Sequence, residues 1–132
     1  MNKDVSRAVI VEDIPQMRDL IRIVLSSFGA KDIVEAQNGA EAIAALKSND
    51  VDIVIMDWKM DVMDGLECTR HIREGIDGIN QKLPIVLLTG MLGKDSEDAA
   101  YAAGVDLYLE KPFSLKTLHS GISKVLNRTP PV

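Results

Sequence analysis

The chain has 132 residues, enough for one domain around a real core and short for two. Hydrophobic residues make up 46% and charged residues 27%, values that exclude a disordered chain. A net charge of −5 argues against nonspecific binding to nucleic acid or to an acidic membrane.

Strand-like and helix-like segments alternate five times. The first strand is Ala8-Val9-Ile10-Val11, followed by Ile14, Met17, Ile21, Val24, Leu25 and Phe28 at helical spacing, with Gly29 as the stop. Lys31 to Ala36 is a short second strand, and Asn38-Gly39 opens a helix carrying Ala42, Ile43 and Leu46. The third strand, Val51 to Met56, is apolar on both faces, as a covered central strand should be. Asp64-Gly65 starts a helix through Cys68 and Ile72, and a looser stretch runs from Gly75 to Leu83. Pro84 introduces a fourth strand over Ile85 to Leu88, Asp98 to Ala103 reads as an alanine-rich helix ended by Gly104, and Leu107 to Glu110 is the fifth strand. Ser114 then caps a last helix with Leu115, Leu118, Ile122, Val125 and Leu126 inward, and Pro130-Pro131 cannot continue it. Alternation with short connections predicts an α/β fold, a doubly wound parallel sheet with right-handed crossovers. The expected domain is the whole chain, with its core over about 7–127 and a tail at 128–132.

No apolar run approaches the ~20 residues of a membrane span. Asp4 and Arg7 interrupt any signal-peptide core, and a cytoplasmic protein is expected. The lone Cys68 excludes an intrachain disulfide and reads as a small apolar helix residue. His71 and His119 read as surface or boundary residues without partner spacing, and the methionines as gap fillers.

Five residues stand at or just past strand ends: Glu12, Asp13, Asp57, Thr89 and Lys111. In an open parallel sheet the carboxyl ends of strands face one crevice. Three acids, a hydroxyl and an ammonium there suit a divalent cation and a phosphoryl group, since hard cations take carboxylate and phosphate oxygens and lysine serves phosphate as a point charge. Plainer readings exist. Asp13 could merely cap the next helix, Asp57 could be a solvated strand end, and Thr89 is a common strand residue. The coincidence of all five carries the argument.

Val11-Glu12-Asp13, Ile55-Met56-Asp57-Trp58-Lys59-Met60, Met63-Asp64-Gly65-Leu66, Leu88-Thr89-Gly90 and Tyr108-Leu109-Glu110-Lys111-Pro112-Phe113 resemble the receiver domain of bacterial two-component response regulators. The resemblance covers roughly residues 7 to 127 and includes Ala36 to Ala42. It implies a flavodoxin-like three-layer sandwich around a five-stranded sheet of order 2-1-3-4-5. It also implies Asp57 as phosphoacceptor, and magnesium (manganese can substitute) on Glu12, Asp13, Asp57 and the backbone carbonyl of Lys59. Thr89 and Lys111 would touch the phosphoryl oxygens, Thr89 and Tyr108 would form the switch, and the Lys111-Pro112 bond would be cis. The implied partners are a histidine kinase or histidine phosphotransfer protein and a downstream protein target on the face of the fourth helix, fifth strand and fifth helix.

Some positions depart from the family. Asp61 stands where most relatives have proline, read here as a tolerated turn residue. Lys59 and Met91 occupy variable positions that tune access of water, and Gly90 replaces the commoner alanine. Gly75 to Asn80 is slightly long and reads as a solvated loop. Two other classes stay open: a receiver-like docking module that takes no phosphate, and a dehalogenase-like phosphatase, which needs a second Asp where Lys59 stands. The chain could also be a receiver excised from a longer regulator.

Overall fold

The computed structural model describes residues 5–90 and 93–127, so Met91 and the tail at 128–132 lie outside the described residues. Five strands, β1 (Arg7–Val11), β2 (Asp32–Ala36), β3 (Ile53–Asp57), β4 (Ile85–Thr89) and β5 (Leu107–Glu110), form one parallel sheet of order β2-β1-β3-β4-β5. The helices α1 (Pro15–Ser27), α2 (Gly39–Ser48), α3 (Gly65–Arg73), α4 (Lys94–Ala103) and α5 (Leu115–Asn127) connect them. This is the expected flavodoxin-like three-layer sandwich. Among the described residues no helix is long and apolar enough to cross a membrane.

Alternation along each strand sorts the core into two layers, because successive side chains point to opposite faces. Val9, Val11, Val54, Met56, Ile85 and Leu87 pack with α2, α3 and α4. Ala8, Ile10, Ile53, Ile55, Val86 and Leu88 pack with α1 and α5. The register sets Val11 beside Met56 and Asp57 beside Leu88, so β1, β3 and β4 end nearly level.

Several local expectations change. The strand β3 begins at Ile53, not Val51, because the Asp52 carboxylate turns to accept the N–H groups of Ser6 (2.8 Å) and Arg7 (3.1 Å). Helix α4 begins four residues before Asp98, its first turn being polar and without apolar periodicity to read. Ile14 is the half-exposed cap residue of α1 and not part of its inner face, and Leu115, 43% exposed, likewise sits outside the core in the first turn of α5. The stretch after α3 is only partly a solvated loop: it contains a 3₁₀ turn, Ile76–Gly78, and buries Ile79 and Leu83. His71 does have a partner there, Asp77 Oδ2 at 2.9 Å from its Nε2, while His119 stacks on Phe28 with ring centroids 4.6 Å apart.

Local chemistry otherwise follows the sequence. Asn38 accepts the Glu41 N–H at 2.9 Å, Asp64 and Glu67 form a reciprocal capping box, and Ser114 Oγ accepts the Thr117 N–H at 3.0 Å. The Lys111-Pro112 peptide is cis, as the resemblance implies.

Candidate functional site

Asp57 is the last residue of β3, and its Oδ1 accepts the N–H of Trp58 at 3.0 Å. Just beyond β1, Glu12 is buried and Asp13 exposed. Each of the three offers a carboxylate oxygen, and these oxygens lie within 4.8 Å of one another. That donor set fits a hard divalent cation, which takes one or two carboxylates together with carbonyl, water or phosphate oxygens.

Lys111 follows β5 directly, and its backbone N–H donates to the Thr89 carbonyl at 2.7 Å, which ties the ends of β4 and β5 together. Its Nζ lies 3.0 Å from Glu12 Oε2 and 3.3 Å from Asp57 Oδ1. Thr89 is buried at the end of β4. Tyr108 is turned inward, 7% exposed, and packs in the layer that contains α4.

The Asp13 cap reading fails: α1 is capped at Ile14 with no side-chain hydrogen bond, and the acid nearest that backbone is Glu12, whose Oε1 accepts the Ile14 N–H at 3.2 Å. Asp13 is therefore left pointing charge toward the crevice without a helix-capping role. The solvated-strand-end reading of Asp57 fails too, since the carboxylate is half-buried and salt-bridged.

Electrostatics follow from that crowding. Burial pushes the Glu12 carboxyl above its ordinary value, Asp57 adds to the rise, and the hydrogen bond from Lys111 opposes it. Burial likewise raises Asp57, with Lys111 opposing and Asp13 contributing. Burial alone would lower Lys111, but its contacts with Glu12 and Asp57 override that and hold it charged, above its ordinary value. The site is thus short of positive charge by design of its own sequence.

The loop from Trp58 to Asp64 forms the outer wall. Asp13, Gln37, Trp58, Lys59, Met60, Asp61 and Asp64 line an open cleft of about 440 Å³ there. Gly65 closes the loop, its N–H donating to the Trp58 carbonyl at 2.8 Å. A Cβ at Gly65 would stand 2.6 Å from the Asp57 carbonyl oxygen, so only glycine lets α3 start so close to the strand end.

Sequence reasoning missed Arg18. Its Nη1 donates to the Glu12 carbonyl at 2.9 Å, and its Nε sits 3.6 Å from Glu35. Its place one turn into α1 is compatible with an ordinary surface ion pair, so the sequence carried no distinguishing signal.

Comparison with known proteins identifies the family. Residues 8–123 match the family model described as the response regulator receiver domain. The chain is 35% identical over 121 residues to the chemotaxis protein CheY1 of Helicobacter pylori, covering 91% of this chain and 96% of that one. Among solved structures it superposes on the chemotaxis response regulator CheY4 of Vibrio cholerae with a TM-score of 0.81 at 27% identity, covering 92% of this chain and 98% of that one. The receiver domain of the sensor histidine kinase PA1611 from Pseudomonas aeruginosa, solved with magnesium coordinated in its active-site cleft, gives a TM-score of 0.78 at 27% identity, with coverages of 92% and 98%.

Proposed function

This chain belongs to the response regulator receiver domain family, and we propose that it works as a phosphorylation switch with Asp57 as its acceptor. A histidine kinase or histidine phosphotransfer protein supplies the phosphoryl group, and a separate protein reads the result. The observation that carries this reading is the meeting of Glu12, Asp13 and Asp57 oxygens within 4.8 Å of one another, with the Lys111 ammonium bridging two of them.

In the proposed reaction one oxygen of the ionised Asp57 carboxylate attacks phosphorus. A P–O bond to Asp57 forms as the bond from phosphorus to the donor nitrogen breaks, and the donor leaves with that electron pair. Lys111 opposes the upward push of burial on the Asp57 carboxyl and stands where charge on the transferring oxygens needs an ammonium. Thr89 presents its hydroxyl from the buried end of β4. Glu12, Asp13, Asp57 and the Lys59 carbonyl would hold magnesium or manganese, and the bound cation would offset negative charge on the phosphoryl oxygens. Aspartyl phosphate adds negative charge to a cluster already short of cations, which favours movement of Thr89 toward it and a response at Tyr108. The output face in this reading is α4, β5 and α5.

Receiver domains are signalling proteins, and turnover of a substrate is not part of the proposal. Lys59 stands where a dehalogenase-type phosphatase needs its second acid. The test is incubation with phosphoramidate and magnesium, followed by mass spectrometry. One phosphoryl group should appear on a peptide containing Asp57, and it should be absent from Asp57→Asn. Stoichiometric labelling of that variant would sink the assignment, and repeated turnover of organic phosphates would move the protein to the phosphatase class.

A further inference from the structure

The loop between β3 and α3 contains one strained backbone feature. Val62 adopts φ +70, in the left-handed region, although it is β-branched. Across it the Met63 N–H donates to the Asp61 carbonyl at 2.7 Å. A three-residue turn with a positive φ at its centre is the rarer and strained form of γ-turn, and a β-branched residue is the poorest choice for it. The Val62 side chain is 82% exposed, so no burial offsets the strain.

Anchors on both sides hold the turn. Trp58, Met60 and Met63 pack against the core layer of α2 and α3. The Met63 carbonyl accepts the N–H of Gly39 at 3.0 Å, and a Cβ at Gly39 would stand 2.6 Å from that same oxygen. Relaxing Val62 to negative φ would swing the Met63 carbonyl away from Gly39 and shift the segment that carries Lys59 and Asp61. The strain at Val62 therefore acts against the loop arrangement described here.

We propose that Val62 is a positioning residue that weakens divalent-cation affinity, because its strain lowers the population of the loop arrangement in which Lys59 and Asp13 line one cleft. The inference rests on the functional reading given above. When only a fraction of molecules is competent, apparent affinity falls by that fraction. A residue that tolerates positive φ should restore it. Asn does so with a side chain and Gly without one.

The test compares the natural protein with Val62→Asn, Val62→Gly and Val62→Ile. Magnesium chloride is titrated while the fluorescence of Trp58, the chain's one tryptophan, is followed. The Asn and Gly variants should bind roughly three- to tenfold more tightly, while Ile, equally β-branched, should match the natural protein. A second readout needs no metal. Gly39 is the first residue of α2, so its N–H has no intrahelical acceptor and its protection reports only the bond to Met63. Amide exchange at Gly39 should slow in metal-free Val62→Asn. Equal magnesium affinity in all four proteins, or unchanged Gly39 exchange, would overturn the role of Val62 alone. No magnesium response in any of them would overturn the functional reading itself, and this inference with it.

Discussion

Glu12, Asp57 and Lys111 do not balance: one ammonium serves two carboxylates, with Asp13 beside them. Glu12, buried, and Asp57, half-buried, both have raised pKa values. A carboxyl whose folded pKa exceeds its unfolded value costs stability wherever it is ionised. That cost is absent at low pH, begins as pH rises past the ordinary values of 4.5 for Glu12 and 3.8 for Asp57, and is complete above the folded values. Asp57→Asn is therefore expected to melt higher than the natural protein at pH 7 in chelator, by about 1 kcal/mol at an effective dielectric near water's. The difference should shrink as pH falls through that window, and also when magnesium is added. Thermal melts at pH 7 and pH 4 check this, and equal melting in chelator at pH 7 would mean the acids do not burden one another. These residues were legible in the sequence because charge at the end of an apolar strand is conspicuous. Arg18 and Val62 were not, because a helix arginine looks like any surface cation and left-handed φ at valine has no sequence signature.

The elements are held unequally. Helix α3 is fixed at its C-terminal end by Arg73, whose guanidinium donates to the carbonyls of Gly104 (2.8 Å), Gln81 (2.7 Å) and Leu83 (2.8 Å) and pairs with Asp106 at 2.9 Å. Burial lowers the Arg73 pKa, with Asp106 opposing, which marks a desolvated but satisfied cation. Arg73→Met should cost about 2 kcal/mol, discounted from the 3–5 of a fully buried pair because both groups keep some solvent, as measured by urea melts. Helix α4 is the contrast. Within it only Ala100 is buried, and the Tyr101 hydroxyl, accepting the Tyr108 N–H at 3.1 Å, is its polar tie to the outer edge of β5. An element that buries little area opens at low free energy. Beryllofluoride with magnesium, a phosphoryl mimic, should thus change hydrogen exchange mainly in residues 89–115 and much less in 31–50. Tyr108→Ala should leave Asp57 phosphorylation intact while weakening partner binding. Exchange that altered only around α2 would redirect the signal to the Met63–Gly39 contact. Element types followed from periodicity and capping residues. Their edges did not wherever a side chain competed for backbone groups, as Asp52 does, or where a first turn was polar, as in α4.

For the whole molecule, the two-layer core follows from alternation, since each strand offers one set of apolar residues to α1 and α5 and the other to α2, α3 and α4, whereas the sheet order was implied by the family resemblance alone. Crossover handedness and the level ends of β1, β3 and β4 then put the five strand-end residues on one rim, which is why separated positions in the sequence could be read as neighbours. What alternation cannot announce is a polar link such as the distant Arg73–Asp106 pair or the local His71–Asp77 pair, because each depends on loop geometry that periodicity does not encode.

The ion pair between Glu12 and Lys111 joins residues 99 positions apart in a chain of 132. Seen in time, this separates the site's construction into two stages. Pairing of β1 with β3 can gather the acids while the second half of the chain is still open, whereas the ammonium arrives only when the last strand docks, after the costliest loop closure. The acid-only stage repels itself and gains no ammonium until β5 is in place. It already gathers the three carboxylates, so a divalent cation should offset that repulsion before the last strand docks and raise the folding rate. Stopped-flow unfolding and refolding with and without magnesium would show the folding arm of the chevron moving. An unfolding arm that moved alone would place assembly of the acids after the barrier instead.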